Sequence, residues 1–83
     1  MKEPMLTNRI RMLRFMNSEM SQAELGERVG VTRQTIAAIE AGKYSPTLES
    51  AFRIAEVFGV PLDQVFSWEH RPMERTGSRK TAL

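Results

Sequence analysis

The stretch SQAELGERVGVTRQTIAAIEAGKYSP, Ser21 to Pro46, limits the possible folds more than any other part of the chain. Ser21 and Glu24 make the S-x-x-E capping box of a helix beginning at Gln22, with Met20 and Leu25 where a hydrophobic staple would close its first turn. Gly30 can adopt the left-handed conformation without a Cβ penalty, which predicts the end of that helix. Only Val31 then intervenes before Thr32, an N-cap for a following helix with Ile36 and Ile39 as apolar positions. Helices joined by so tight a turn cross steeply, and at the crossing the first of them can carry only a very small side chain. Gly26 supplies it. A glycine inside a helix costs ~1 kcal/mol against alanine, so its presence predicts a close approach of the following helix. Counted from Gln22, the apolar residues Leu25, Val29, Val31, Ile36 and Ile39 fall at the fourth, eighth, tenth, fifteenth and eighteenth places, with glycines at the fifth and ninth. Together these positions form the full helix-turn-helix pattern.

The flanking sequence supplies further helices. From Thr7, TNRIRMLRFM spaces Ile10 and Leu13 helically and predicts a first helix, which NSEM interrupts. The helix after Thr32 ends near AGKYSP, where Gly42 stops it and Pro46 forbids continuation. Thr47 caps a fourth helix marked by Leu48, Ala51, Ile54, Ala55 and Phe58 and closed by Gly59. Pro61 opens a short fifth through Leu62, Val65 and Phe66. No run alternates as a strand should, and no hairpin signal occurs, so the expected fold class is all-α, with five helices.

Composition narrows the function. The 83 residues suffice for one small domain but not for a reading domain plus a separate ligand sensor. The expected division is an N-terminal extension (1–6), a helix-turn-helix body (7–67) and a basic tail (68–83). With no cysteine, no thiolate metal site or disulfide framework is available. No apolar run approaches the ~18 residues of a membrane span and no secretory h-region stands at the start, so a soluble, cytoplasmic protein is expected. The net charge of +2 is uneven: residues 1–69 carry eight Lys or Arg against nine Asp or Glu, whereas HRPMERTGSRKTAL carries four against one. Bulk charge therefore decides little, and a nucleic-acid role must rest on where individual cations sit.

The chain resembles the Cro and lambda-repressor-like, or Xre-type, helix-turn-helix regulators through NRIRMLR, SQAELGERVGVTRQTIAAIEAGKYSPTLE and RIAEVFGVPLDQVF. The resemblance implies a compact five-helix DNA-binding domain that acts as a homodimer on a pseudo-palindromic operator, usually to repress. Under it the polar cluster after Thr32 becomes intelligible, because the leading turn of the recognition helix must face base edges. Arg33 suits guanine O6 and N7, Gln34 suits adenine N6 and N7, and the methyl groups of Thr35 and Ala38 suit thymine, with Ala37 also small enough to let the helix sit deep. By similarity Gln22 would bond a phosphate and Gln34, with Thr32, Lys43, Tyr44, Ser45 and Thr47 at further phosphates. Arg14 and Glu40 look like the family's internal salt bridge.

Two features depart from that pattern. One extra residue separates the first two helices, and no glycine precedes Met20. Met12, Phe15 and Met16 form an apolar strip where the family tends to place charges. Either the tail or the N-terminal Pro4 and Met5 cover it, or it meets a second subunit or another protein. Phe66 and Trp68 are the other candidate dimer contacts. A lone His70 and the absence of a base beside Ser45 or Ser50 give no support for a metal site or an enzyme, and no cofactor or small-molecule ligand is expected. Arg71, Arg75, Arg79 and Lys80 suit either a phosphate-tracking arm or a solubilising tail. A protein-interaction adaptor or antitoxin on the same fold is the alternative function.

Overall fold

Ser21, Thr32 and Thr47 each turn a side-chain oxygen toward the third residue on and so start three of the helices. Ser21 Oγ accepts from Glu24 N at 2.9 Å, Thr32 Oγ1 from Thr35 N at 3.1 Å, and Thr47 Oγ1 from Ser50 N at 3.0 Å. Each bond satisfies an amide that the first helical turn leaves without a partner. The computed structural model describes residues 6–69. Its elements are β1 (Leu6–Asn8), α1 (Ile10–Met16), α2 (Gln22–Val29), α3 (Arg33–Glu40), α4 (Leu48–Phe58), α5 (Leu62–Val65) and β2 (Phe66–Trp68). Five helices in this order agree with the all-α, helix-turn-helix class expected from the sequence.

The strands correct the expectation that there are none. β1 and β2 pair antiparallel, Leu6 opposite Trp68, Thr7 opposite Ser67 and Asn8 opposite Phe66. The ladder also moves the start of the first helix from Thr7 to Ile10. Leu6–Asn8 are drawn into pairing, and Asn8 Oδ1 accepts from Ile10 N at 3.1 Å to begin α1. Phe66 likewise belongs to β2 and not to the fifth helix. Leu6 and Trp68, one residue outside the expected body at either end, lie within the ladder.

One apolar core joins all five helices. Ile10, Leu25, Ile36, Ile39, Ile54 and Val65 are fully buried, and Met20, Val29, Ala51, Ala55, Phe58 and Phe66 complete it. Each large side chain removed from water contributes about 1.5–3 kcal/mol before conformational entropy is counted. Leu48 departs from its helical series: it sits in the first turn of α4 and is 69% exposed. Between α1 and α2 the chain turns through Ser18 and Glu19, both at positive φ (58° and 54°), before Met20 enters the core. No helix among the described residues is long and apolar enough to cross a membrane.

Candidate nucleic-acid interface

The crossing of α2 and α3 depends on Gly26, which is buried. A Cβ there would lie 2.7 Å from the carbonyl oxygen of Val31, closer than side-chain carbons come, and a tight 3.1 Å from Thr32 O. The intimate contact is therefore with the backbone of the turn, not with a side chain of the following helix. The Gly26 carbonyl accepts from both Gly30 N and Val31 N at 2.8 Å, and Gly30 closes α2 at φ 92°. Left-handed backbone of this kind suits glycine.

This turn aims α3 outward at its start. Ile36 and Ile39 anchor the helix in the core, while Thr32, Arg33 and Gln34 are exposed and Thr35 and Ala38 are half-buried. The Thr32 hydroxyl is engaged by its cap and by Thr35 Oγ1 at 3.0 Å. Arg33 and Gln34 make no side-chain hydrogen bond or ion pair among the described residues. Lys43, Tyr44, Ser45 and Thr47 are exposed in the loop that follows, with Lys43 N bonded to Ala38 O at 2.9 Å. Thr47 Oγ1 accepts the cap bond from Ser50 N, which leaves its O–H able to donate.

Behind the leading turn, Arg14 Nε donates to Glu40 Oε2 at 2.6 Å and Arg14 Nη2 donates to Oε1 at 3.2 Å. The two side chains are only 17% and 10% exposed, so the pair is largely removed from water. Arg14 Nη1 donates to the Met20 carbonyl at 2.8 Å. Gln22 Nε2 donates to Glu40 Oε1 at 3.1 Å, so the amide faces Glu40 and not Gln34. A bidentate guanidinium–carboxylate pair fixes direction as well as distance, and here it ties α1 to the trailing end of α3. Asn8 adds a tie that the sequence reading missed: its Nδ2 donates to Ile39 O at 3.0 Å while its Oδ1 starts α1. An asparagine just ahead of an apolar helical series was the available signal.

Of the other candidate residues, Met12, Phe15 and Met16 are exposed along α1. Trp68 is 64% exposed, whereas Phe66 is largely buried at 9%. The reason lies in their places on the ladder: Phe66 pairs with Asn8 beside the core, and Trp68 pairs with Leu6 at its outer end. Trp68 borders a cleft of about 260 Å³ shared with Leu6, Tyr44, Ser45 and Pro46. His70, Arg71, Arg75, Arg79, Lys80, Pro4 and Met5 lie outside the described residues.

A pair of helices crossing over a glycine, with the leading turn of the second turned outward, is a helix-turn-helix unit. The helix-turn-helix family model matches residues 10–65. The chain belongs to that family, the Cro and lambda-repressor-like or Xre-type regulators, and is a transcriptional regulator, not an enzyme. An uncharacterized HTH-type transcriptional regulator of Methanocaldococcus jannaschii is 42% identical over 64 residues, covering 77% of this chain and 96% of the relative. The cryptic phage CTXphi transcriptional repressor RstR of Vibrio cholerae is 35% identical over 63 residues, covering 76% of this chain and 56% of that one. Among solved structures, a candidate DNA-binding protein from Bacteroides fragilis superposes with a TM-score of 0.66 at 25% identity, over 76% of this chain and all of the other.

Proposed function

We propose that the protein is a sequence-specific repressor that binds double-stranded DNA as a homodimer and reads the major groove with α3. The observation that carries this reading is the exposure of Thr32, Arg33 and Gln34 on a helix whose other face is locked into the core by Ile36 and Ile39. Rigid anchoring behind a free polar turn is what base readout requires. Arg33 is assigned to a guanine, Gln34 to an adenine, and the methyl groups of Thr35 and Ala38 to thymine. Gln22, Thr32, Lys43, Tyr44, Ser45 and Thr47 are assigned to backbone phosphates, which set register without reading sequence. Thr32 and Thr47, whose hydroxyl oxygens accept the cap bonds, would contact phosphates through their O–H groups and the backbone amides at the helix starts. The output as repression is supported by the phage repressor among the relatives. A cytoplasmic location goes with this role.

The test is binding to an operator recovered from a random duplex pool, compared with a scrambled duplex, at two salt concentrations. Arg33→Ala is expected to lose about 1–3 kcal/mol per half-site on the operator and to relax one base position in each, whereas Lys43→Ala weakens both duplexes alike and lowers the salt slope by about 1 per subunit. Equal loss on both duplexes for Arg33→Ala would refute its role. The recovered site should be a palindrome with half-sites ~34 Å apart. A second reading, an adaptor or antitoxin, is favoured by the exposed strip of Met12, Phe15 and Met16. Recovery of no preferred duplex, together with a stoichiometric protein partner lost on Phe15→Ser, would select it instead.

A further inference from the structure

The concavity between α1 and the leading ends of α2 and α3 gathers more positive charge than the helix-turn-helix pair alone supplies. Its wall contains Arg11, Arg14 and Arg33 together with Ser21, Gln22 and Ala23, and the only carboxylate there is Glu40. That carboxylate is already committed, since Arg14 holds both of its oxygens and Gln22 donates to Oε1. Arg14 is committed too, with its last contact going to the Met20 carbonyl. What remains is a pair of guanidinium groups, Arg11 and Arg33, that have no ion pair among the described residues. Arg11 precedes Arg14 by one helical turn and so leaves α1 on the same side. The hollow is open and measures about 550 Å³, ample for a phosphodiester group.

We infer that Arg11 grips a backbone phosphate of double-stranded DNA in this concavity, alongside Gln22, while α3 occupies the groove. The inference rests on the major-groove reading above and adds to it an anchor on α1, outside the helix-turn-helix pair. A guanidinium fork matches two phosphate oxygens at once, and such a contact positions the protein without reading a base. Arg11 and Arg33 thereby divide the work at one hollow: one takes the backbone and the other a base edge. The competing occupant is an acidic side chain of a protein partner, and a neutral phosphate analogue separates the two.

The experiment compares the full chain with Arg11→Met, which keeps the length of the stem, and Arg11→Lys, which keeps the charge without the fork. Arg11→Met is expected to lower the slope of log K against log salt by about 0.9 per subunit, about 1.8 for the dimer, on operator and scrambled duplexes alike, which corresponds to about a sixtyfold loss near 0.1 M salt. Arg11→Lys should recover most of that slope. The unfolding midpoint of Arg11→Met should match that of the parent, because Arg11 is exposed and has no ion pair among the described residues. A symmetry-related pair of methylphosphonates, one in each half-site, moved together along the operator backbone, should at a single position make the parent and Arg11→Met bind equally. Parental affinity and slope in Arg11→Met, with Arg33→Ala still relaxing base preference, would overturn the role of Arg11 and leave the groove reading standing. Failure of every symmetric methylphosphonate pair to equalise the two proteins would overturn it as well. A parent with no sequence preference would instead sink the groove reading itself.

Discussion

Gly26 and Glu19 stand in opposite relation to the backbone around them. Gly26 has ordinary helical surroundings and no space: an added Cβ would meet Val31 O at 2.7 Å, and that turn is held by a hydrogen bond from Val31 N back to Gly26 O. Gly26→Ala therefore gains ~1 kcal/mol of helix propensity but is expected to lose about 1–3 kcal/mol to overpacking, for a net destabilisation. Glu19 has space and the wrong conformation, a positive φ of 54° that L-residues avoid at a cost of roughly 1–2 kcal/mol. Glu19→Gly should relieve that strain and, after the greater flexibility of the unfolded chain is charged against it, stabilise by about 0.5 kcal/mol. Urea titrations with unchanged m-values would show the midpoints moving in opposite directions. A midpoint that rose for Gly26→Ala would mean the turn can yield. The sequence made Gly26 legible because a glycine within a helical pattern is costly. It left the identity of the approaching atoms open, since backbone carbonyls carry no signature in the sequence. The strain at Ser18 and Glu19 was visible only as a missing glycine before Met20.

Between elements, the Arg14–Glu40 pair is the strongest directed tie from α1 to α3. Arg14→Met leaves Glu40 with Gln22 as its remaining side-chain donor and frees the Met20 carbonyl. At 17% and 10% exposure the pair falls between surface bridges and fully buried ones, and the expected loss is about 2 kcal/mol. Arg14→Lys should recover only part of it, because an ammonium cannot bind both carboxylate oxygens and the carbonyl in this geometry. Equilibrium unfolding of the two variants measures both effects, and no loss in either would mean that the pair is fully solvated. Helices were legible element by element because capping and termination are local: each cap oxygen bonds an amide three residues on. The β1–β2 ladder was not, because Thr7 and Ser67 are 60 residues apart and strands of three residues are too short to alternate. Leu6-Thr-Asn8 read equally well as the approach to a helix.

For the molecule as a whole, exposure divides residues that composition groups together. Phe66 and Trp68 looked equivalent in the sequence, yet one completes the core and the other stands out beside Tyr44 and Pro46. Side-chain type could not separate them, because depth along the ladder is set by pairing with distant residues. If Trp68 contributes to the proposed dimer, Trp68→Glu should shift the monomer–dimer equilibrium toward monomer in sedimentation and weaken operator binding, with its unfolding midpoint little changed. An unaltered association constant would remove Trp68 from the interface. The leading turn of α3 was legible for the opposite reason: its exposure follows from a tight crossing written into neighbouring residues. The ladder has one more effect. Leu6 and Trp68 lie side by side, so the described segment begins and ends at a single seam, near the trailing end of a helix about 12 Å long. Both ends of the described segment thus share one doorway, a helix length away from Arg33 at the leading turn.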